Sequence, residues 1–397
     1  MKFIHMADCH VGAWRDPKMK VLTHEAFSQA INESLSEEPD FVLIAGDLFN
    51  TAIPGIDSLK VVVSGLQKLK QANIPVYAIA GSHDSSPSGK TMLDVLEEAI
   101  LLRDVMRGGV NDGKLKLTYT EDVKTGVKIT GILGRRGSLD KQYYEDLDRA
   151  SLEIEKGEKI FMFHTSIAEL KPKELEKMDA QPASFLPKNQ NYYAGGHIHI
   201  AENTSLPGYT NIVYPGPLFP ASFGELEKLG SGSYCVVEDW KMTRKELLLK
   251  PIIKINIDAK NKTPEELYLT VDAALKEKMS DALVLIRLHG EMREGKIGDI
   301  DFRRLIDKAY KAGAYFVMKS TTKLTSKEYE EISVATSTPA KIEEQLITGN
   351  LGKTSLTAEE ERELIYNLMQ TLSQETQDGE KKYEYESRVT SEAQKHL

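Results

Sequence analysis

Cysteine is nearly absent. Two residues, Cys9 and Cys235, stand in a chain of 397, too few for a disulfide framework and in keeping with a reducing compartment. Cys9 lies between Asp8 and His10 and points to the opposite face of an extended segment, so packing is its expected job. Long apolar runs are missing too. No stretch approaches the roughly 20 residues needed to cross a bilayer. His5 and Asp8 interrupt the opening MKFIHMADCH, so no signal peptide is expected there. Positive charge is in deficit: 51 Lys and Arg against 60 Asp and Glu give a net charge of −9. That balance argues against coating nucleic acid by bulk attraction. It leaves room for a local basic strip or a basic partner. Internal repeats and long low-complexity tracts are also absent.

What is present is ordered. A length of 397 residues exceeds one ordinary core and implies two or three domains. In the first half KFIHMA, FVLIAG, PVYAIAG and KIFMFH are short continuous apolar runs, as in strands buried on both faces. Stretches with helical spacing, about 22–36, 57–72 and 89–100, separate the earlier ones. The alternation predicts a layered α/β domain over 1–245, a sheet sandwich flanked by helices. KINID, ALVLIRLHGE and AYFVMKS, interleaved with helix-like PEELYLTVDAALKEKM and DIDFRRLIDKAYKAG, predict a small second α/β unit over 246–335. From 336 to 397 the chain turns polar. Within it Leu364, Ile365, Leu368, Met369 and Leu372 share one face of a helix, and Thr357 with Glu360 matches a capping box. Such a helix either folds back or waits for another protein.

The polar clusters follow the apolar runs. They are Asp8-Cys9-His10, Gly46-Asp47-Leu48-Phe49-Asn50, Gly81-Ser82-His83-Asp84, His164 and Gly195-Gly196-His197-Ile198-His199. Five of the nine histidines fall in them. Loops at the carboxyl ends of strands are where ligands collect in such sheets. Asp-x-His and His-x-His place two side chains on one side of an extended segment. Imidazole with carboxylate suits Mn, Fe or Zn, whereas calcium and magnesium prefer oxygen alone. One piece of this kind arises often by chance; five in order, each after a buried-strand pattern, do not.

The order resembles the calcineurin-like metallophosphoesterases, whose signature is D-x-H, G-D, G-N-H-[DE], H and G-H-x-H. More narrowly, ADCHVG, AGDLFN, IAGSHD and GGHIH followed by YPG resemble the nuclease subunit family of the double-strand-break repair complex, the meiotic-recombination-eleven or SbcD family. The motifs cover roughly residues 1–220. The resemblance implies a manganese-dependent exonuclease and endonuclease with two Mn²⁺. Asp8, His10 and His199 would hold one metal, His164 and His197 with Ser82 the second, and Asp47 would bridge them. His83 would be the catalytic non-ligand that protonates the leaving oxygen or steadies the transition state. It further implies that 246–335 is a DNA-binding capping domain and that the terminal helix binds a Rad-fifty or SbcC-type coiled-coil ATPase. A homodimer, DNA ends as substrate and a cytoplasmic, nucleoid-associated location complete the expectation.

Two positions depart from the family. Ser82 stands where the pattern has Asn, a longer-reaching neutral ligand; either Ser82 ligates directly, or a water, Asp84 or Ser85 fills the gap. The second site is therefore expected to bind metal more weakly. Asn50 stands where some relatives carry a histidine. SPSGKT is not a phosphate loop, because that motif needs glycine at Asp84; Ser88 or Thr91 starts a helix instead. Arg135, Arg136, Lys319, Lys323 and Lys327 either touch phosphates or are simply solvated. His289 is expected to be structural, and Trp14 to pack beside the site. Two other functions fit parts of the pattern: a phosphodiesterase for a small molecule, and a scaffold without catalysis that bridges an ATPase to DNA ends.

Overall fold

The computed structural model describes residues 1–86, 89–171, 178–275, 278–327, 343–344, 347–348, 351–352, 356–377 and 380–396. Two six-stranded sheets dominate. The first runs in the order β14 (Lys241–Leu247), β13 (Gly232–Glu238), β1 (Lys2–Met6), β2 (Phe41–Ala45), β3 (Val76–Ile79), β4 (Arg103–Asp104). Strands β1 to β4 are parallel and β13 is antiparallel to β1. The second runs β11 (Ala201–Leu206), β12 (Tyr209–Pro215), β10 (Tyr192–Gly196), β9 (Lys159–His164), β8 (Lys128–Ile132), β7 (Thr120–Glu121), with its four central strands parallel.

Alternation along the strands assigns each face. Phe3, Phe41, Leu43, Tyr77 and Ile79 of the first sheet meet Ile129, Ile160, Met162, Tyr192 and Val213 of the second in one core. The intervening Ile4, Met6, Val42 and Ile44 face helices α1 (Pro17–Ser36), α2 (Ile56–Gln71) and α3 (Met92–Glu98). On the far side Phe161, Phe163 and Tyr193 pack under α4 (Lys141–Glu145) and α5 (Arg149–Ile154). The result is a helix–sheet–sheet–helix sandwich, and burial on both faces explains why its central strands read as continuous apolar runs. A hairpin, β5 (Arg107–Asn111) with β6 (Lys114–Thr118), forms its own two-stranded sheet, and its Leu115 and Leu117 join that far-side core.

Local chemistry sets the helix ends. Helix α1 begins earlier than its apolar spacing shows, because the Asp16 side chain accepts from Lys18 N at 2.8 Å and Pro17 fits the first turn. Thr91 starts α3 with a full capping box to Asp94; Ser88 lies outside the described residues. The short α6 (Phe223–Leu229) is capped by Ser222.

A third sheet, β15 (Ile252–Asp258), β16 (Leu283–Met292) and β17 (Phe316–Ser326), carries α7 (Pro264–Ala274) and α8 (Phe302–Lys311) on one face. From its other face Leu283 and Leu285 join the core beneath α1. By contacts the chain divides into two units, Met1–Met292 with Ile297–Leu324, and Arg293–Lys296 with Thr325–Leu397. The second unit holds α9 (Ala358–Leu372) and α10 (Lys382–Ala393). Helix α9 starts at Thr357 with the foreseen capping box to Glu360. Most of the polar stretch between 328 and 355 lies outside the described residues. Among the described residues no helix is long and apolar enough to cross a membrane.

Candidate metal centre

Parallel neighbours end at the same level, so their following loops share one rim. After β1 come Asp8 and His10, after β2 Asp47, and after β3 Ser82 and His83; His164 closes β9, and His197 and His199 follow β10. The two sheets are stitched together at that rim. His197 N donates to Asp8 Oδ1 at 2.8 Å and Oδ2 at 3.1 Å, and His164 Nδ1 donates to Ala45 O at 2.8 Å.

The backbone is unusual here. Asp8, His10, Asp47, His197 and His199 have φ of 49, 42, 50, 103 and 47°. Left-handed conformations outside glycine cost about 1–3 kcal/mol each and gather where function over-determines them. Backbone bonds hold them, among them Asp8 N to Gly46 O at 3.1 Å and His10 N to Asp47 O at 2.9 Å. Gly81 is required for a second reason: a Cβ there would collide with Asp47 N and its carboxylate.

Three overlapping sets of donors result: Asp8, His10, His199; Asp8, Asp47, His164; and His10, Asp47, His83, with ligand atoms in each set within 4.8 Å of one another. His10 Nε2 and His199 Nε2 are 2.9 Å apart, and His164 Nε2 lies 3.2 Å from Asp47 Oδ2. Asp8, His10, Asp47 and His164 are buried. His10 Nδ1 and His164 Nε2 are buried without a hydrogen-bond partner. Buried carboxylates and imidazoles with open nitrogens, converging on one spot, are what a divalent cation satisfies. The residues fit such an ion.

Hydrogen bonds fix which nitrogen each ring offers. A carbonyl or carboxylate accepts, so His164 donates from Nδ1 to Ala45 O, His199 from Nδ1 to Glu225 Oε2 at 3.0 Å, and His83 from Nδ1 to Asn50 O at 2.8 Å. In each case Nε2 is the atom left for a ligand or a proton transfer.

Electrostatics point the same way. Burial pulls His10 down to about 3 and His197 to about 4, keeping both neutral as ligands must be. Burial also acts against a charge on His164 and His199. Asp47 nevertheless raises His164 to about 10, and Asp8 with Glu225 raises His199 to about 9. Asp47 is held well below the carboxylate range, with His164 overcoming its burial. A negative field strong enough to hold protons on buried imidazoles attracts a doubly charged ion more strongly still.

All the expected ligands stand on this rim. His197 lies with its ring 5.2 Å from His164 by centroid. Ser82 Oγ is 3.4 Å from Asp47 Oδ2, and Ser82 is buried. His83 falls in a donor set with His10 and Asp47, closer to the ligands than a remote acid would be. Asp84 does not fill the gap left by Ser82. Its carboxylate accepts from Gly81 N at 2.9 Å, Leu48 N at 3.1 Å and Phe49 N at 2.9 Å, clasping the β2 and β3 loops together. Ser85 Oγ is committed to Gly81 O and Gly134 O.

Two contributors escaped the sequence reading. Glu225, 26 residues beyond His199, accepts from its ring; a carboxylate in a first helical turn reads only as a cap. The Asn50 contact is a main-chain carbonyl, which no side-chain pattern reveals. Beside the rim is a pocket of about 340 Å³ lined by Ser82, His83, Arg135, Arg136, Asp140 and His197 among others. Arg136 Nε donates to Ser82 O at 3.2 Å, and Arg135 Nη1 to Tyr143 Oη at 3.4 Å. Trp14 packs against the helical core, its indole N–H donating to Pro220 O at 3.1 Å. The Lys319 ammonium sits 4.0 Å over the Phe302 ring.

The fold and the rim define a phosphoesterase. A model of the calcineurin-like phosphoesterase family matches residues 1–201, and the chain belongs to that family. Among curated relatives, the DNA double-strand break repair protein Mre11 of Methanococcus maripaludis is 33% identical over 205 residues, 50% of this chain and 52% of that protein. Its namesake from Archaeoglobus fulgidus is 30% identical over 237 residues, covering 58% and 52%. The one from Thermoplasma acidophilum is 28% identical over 309 residues, covering 73% and 77%. The chain thus spans about half the length of the first two relatives it matches.

Proposed function

We propose that this chain is a manganese-dependent DNA nuclease that hydrolyses phosphodiester bonds, as exonuclease and endonuclease, in the processing of double-strand breaks. One observation carries the reading: loops from five strands of two sheets bring Asp8, His10, Asp47, His83, His164 and His199 into overlapping donor sets. The curated relatives, DNA double-strand break repair proteins, suggest the substrate class. Asp8, His10 and His199 would hold one Mn²⁺ and His164, His197 and Ser82 the other, with Asp47 between them. When bound, such ions neutralise charge on the phosphodiester and make an attacking water more acidic. The chain itself supplies the rest. Asp8 and Asp47 provide the negative field, and Asp84 holds two ligand loops in register. The bond from His83 Nδ1 to Asn50 O leaves Nε2 to carry a proton to the departing oxygen. That lock uses the main chain, so Asn50 supports it without an imidazole of its own. The same reading makes the chain a homodimer that works with a coiled-coil ATPase held by the apolar face of α9.

An assay with Mn²⁺ on defined single- and double-stranded DNA ends, beside a small chromogenic phosphodiester, tests this. DNA is the expected substrate, and His83→Ser is expected to lose about 10²–10⁴-fold in rate while still binding Mn²⁺. Hydrolysis of the small ester alone would identify a small-molecule phosphodiesterase. Tight binding of DNA ends without cleavage would identify a scaffold. Either result rejects the nuclease.

A further inference from the structure

Helix α6 has seven residues, yet two of its carboxylates reach two different parts of the molecule. Glu225 Oε2 accepts from His199 Nδ1 at 3.0 Å and from Ala221 N at 2.9 Å, while Oε1 accepts from Ser222 Oγ at 3.1 Å. Two residues further on, both oxygens of Glu227 accept from Arg287 Nε, at 2.7 and 2.9 Å. Arg287 lies on β16. Its guanidinium also stacks 4.8 Å over the ring of Phe223, and its Nη1 donates to Ser320 Oγ on β17 at 3.3 Å. One arginine of the third sheet therefore grips α6 by a charged pair and by a ring.

We infer that α6 is a positioning element for the metal centre, in which Glu225 aims His199 and the Glu227–Arg287 pair fixes the helix from the third sheet. His199 needs such a device. It sits in a loop at φ 47°, belongs to no helix or strand, and is more exposed than Asp8, His10 or His164. A carboxylate on the far nitrogen of a ligand histidine fixes both ring orientation and tautomer. Glu225 has a second bond on the same oxygen and a third on the other, so its own rotamer is held. What remains free is the placing of α6. A helix of two turns has little cohesion alone, and the charge-assisted bonds from Arg287 supply a fixed point. By this inference a residue of the third sheet serves a rim built by the other two. It rests on the metal reading above.

Isothermal titration of Mn²⁺ into the full chain separates the two ideas. The wild type is expected to bind Mn²⁺ at the rim; a wild type that takes up none removes the metal reading itself. Given binding, Glu225→Ala is expected to weaken one site by about 10–100-fold and Glu225→Gln, which keeps an acceptor, by distinctly less. Equal affinities in the wild type and Glu225→Ala would show that Glu225 merely caps α6 and would overturn its positioning role. Glu227→Arg and Arg287→Glu should each weaken the same site, and the double exchange should recover about threefold relative to either. Melting curves verify that every variant is folded. Folded single variants with wild-type affinity, or a double exchange no better than the singles, would overturn the role of Arg287.

Discussion

At Ser82 a hydroxyl stands 3.4 Å from the Asp47 carboxylate, where an amide would reach about one bond further. Asp84 and Ser85 are bound to main-chain groups, so neither is placed to make up the difference. Ser82→Asn is therefore expected to tighten the weaker of two Mn²⁺ sites by about tenfold, read by titration calorimetry. Two equally tight sites in the wild type would remove the premise. At this scale the sequence was most informative. Asp-x-His and His-x-His are short-range patterns, and each side chain named from them stands on the rim. Contacts between distant residues were not legible. Asp84 bonding Leu48 and Phe49 depends on β2 and β3 pairing side by side, and Glu225 bonding His199 on where α6 returns to the rim; nothing local marks either.

Among elements, α1 and α2 cross so closely that Gly65 acts as a packing residue. A Cβ there would stand 2.8 Å from Phe27 Cε1 and 3.2 Å from Ile31 Cγ1, and both neighbours are fully buried. Alanine in mid-helix normally gains about 1 kcal/mol over glycine. Overpacking a core costs about 1–3 kcal/mol. Gly65→Ala is expected to lose about 1 kcal/mol net, the crowding outweighing the propensity. Adding Phe27→Leu should recover part of it, and urea melts decide. A more stable Gly65→Ala would mean that the helices part easily. Strands were legible in proportion to their burial and apolar content. FVLIA and KIFMFH declare themselves, whereas YYAGG in β10 and KITGI in β8 are diluted by glycines, of which Gly196 lies where a Cβ would collide with Ala45 O and His164 Nδ1 at the rim. The β5–β6 hairpin had a usable signal: Asp112 and Gly113 turn it with φ of 52 and 72°, as a two-residue hairpin loop demands. Helix α10 had almost none, since Val389 is its one buried residue and an ion pair from Arg388 to Glu380 supports it.

Over the whole molecule the division of labour follows from where buried apolar surface lies. All the rim residues, the three sheets' hydrophobic cores and the α6 contacts belong to the unit of Met1–Met292 with Ile297–Leu324. Among the described residues the other unit is poor in core. In α9 the buried residues are Glu361 and Thr371, while Met369 and Leu372 are exposed at 39% and 60%. Leu364, Ile365 and Leu368 of the same stripe are half-buried, α9 packs against α10, and Thr371 Oγ1 lies 3.3 Å from His396 Nε2, so among the described residues the stripe is covered in part and open at Met369 and Leu372. A coiled-coil ATPase is the partner we propose, with Leu364, Ile365, Leu368 and Leu372 as the docking face. Because metal site and docking face lie in different units, deleting residues 350–397 is expected to abolish co-elution with that ATPase. Mn²⁺-dependent cleavage of DNA by the truncated chain should stay within about threefold of the full chain, since sites without shared partners act independently. The net charge of −9 sharpens the test. A chain this acidic attracts DNA weakly by itself, so the ATPase should tighten DNA binding by the full chain and leave the truncated one unchanged. Complex formation that survives the deletion would place the docking face elsewhere. Loss of cleavage along with it would show that the terminal helices serve the metal site after all.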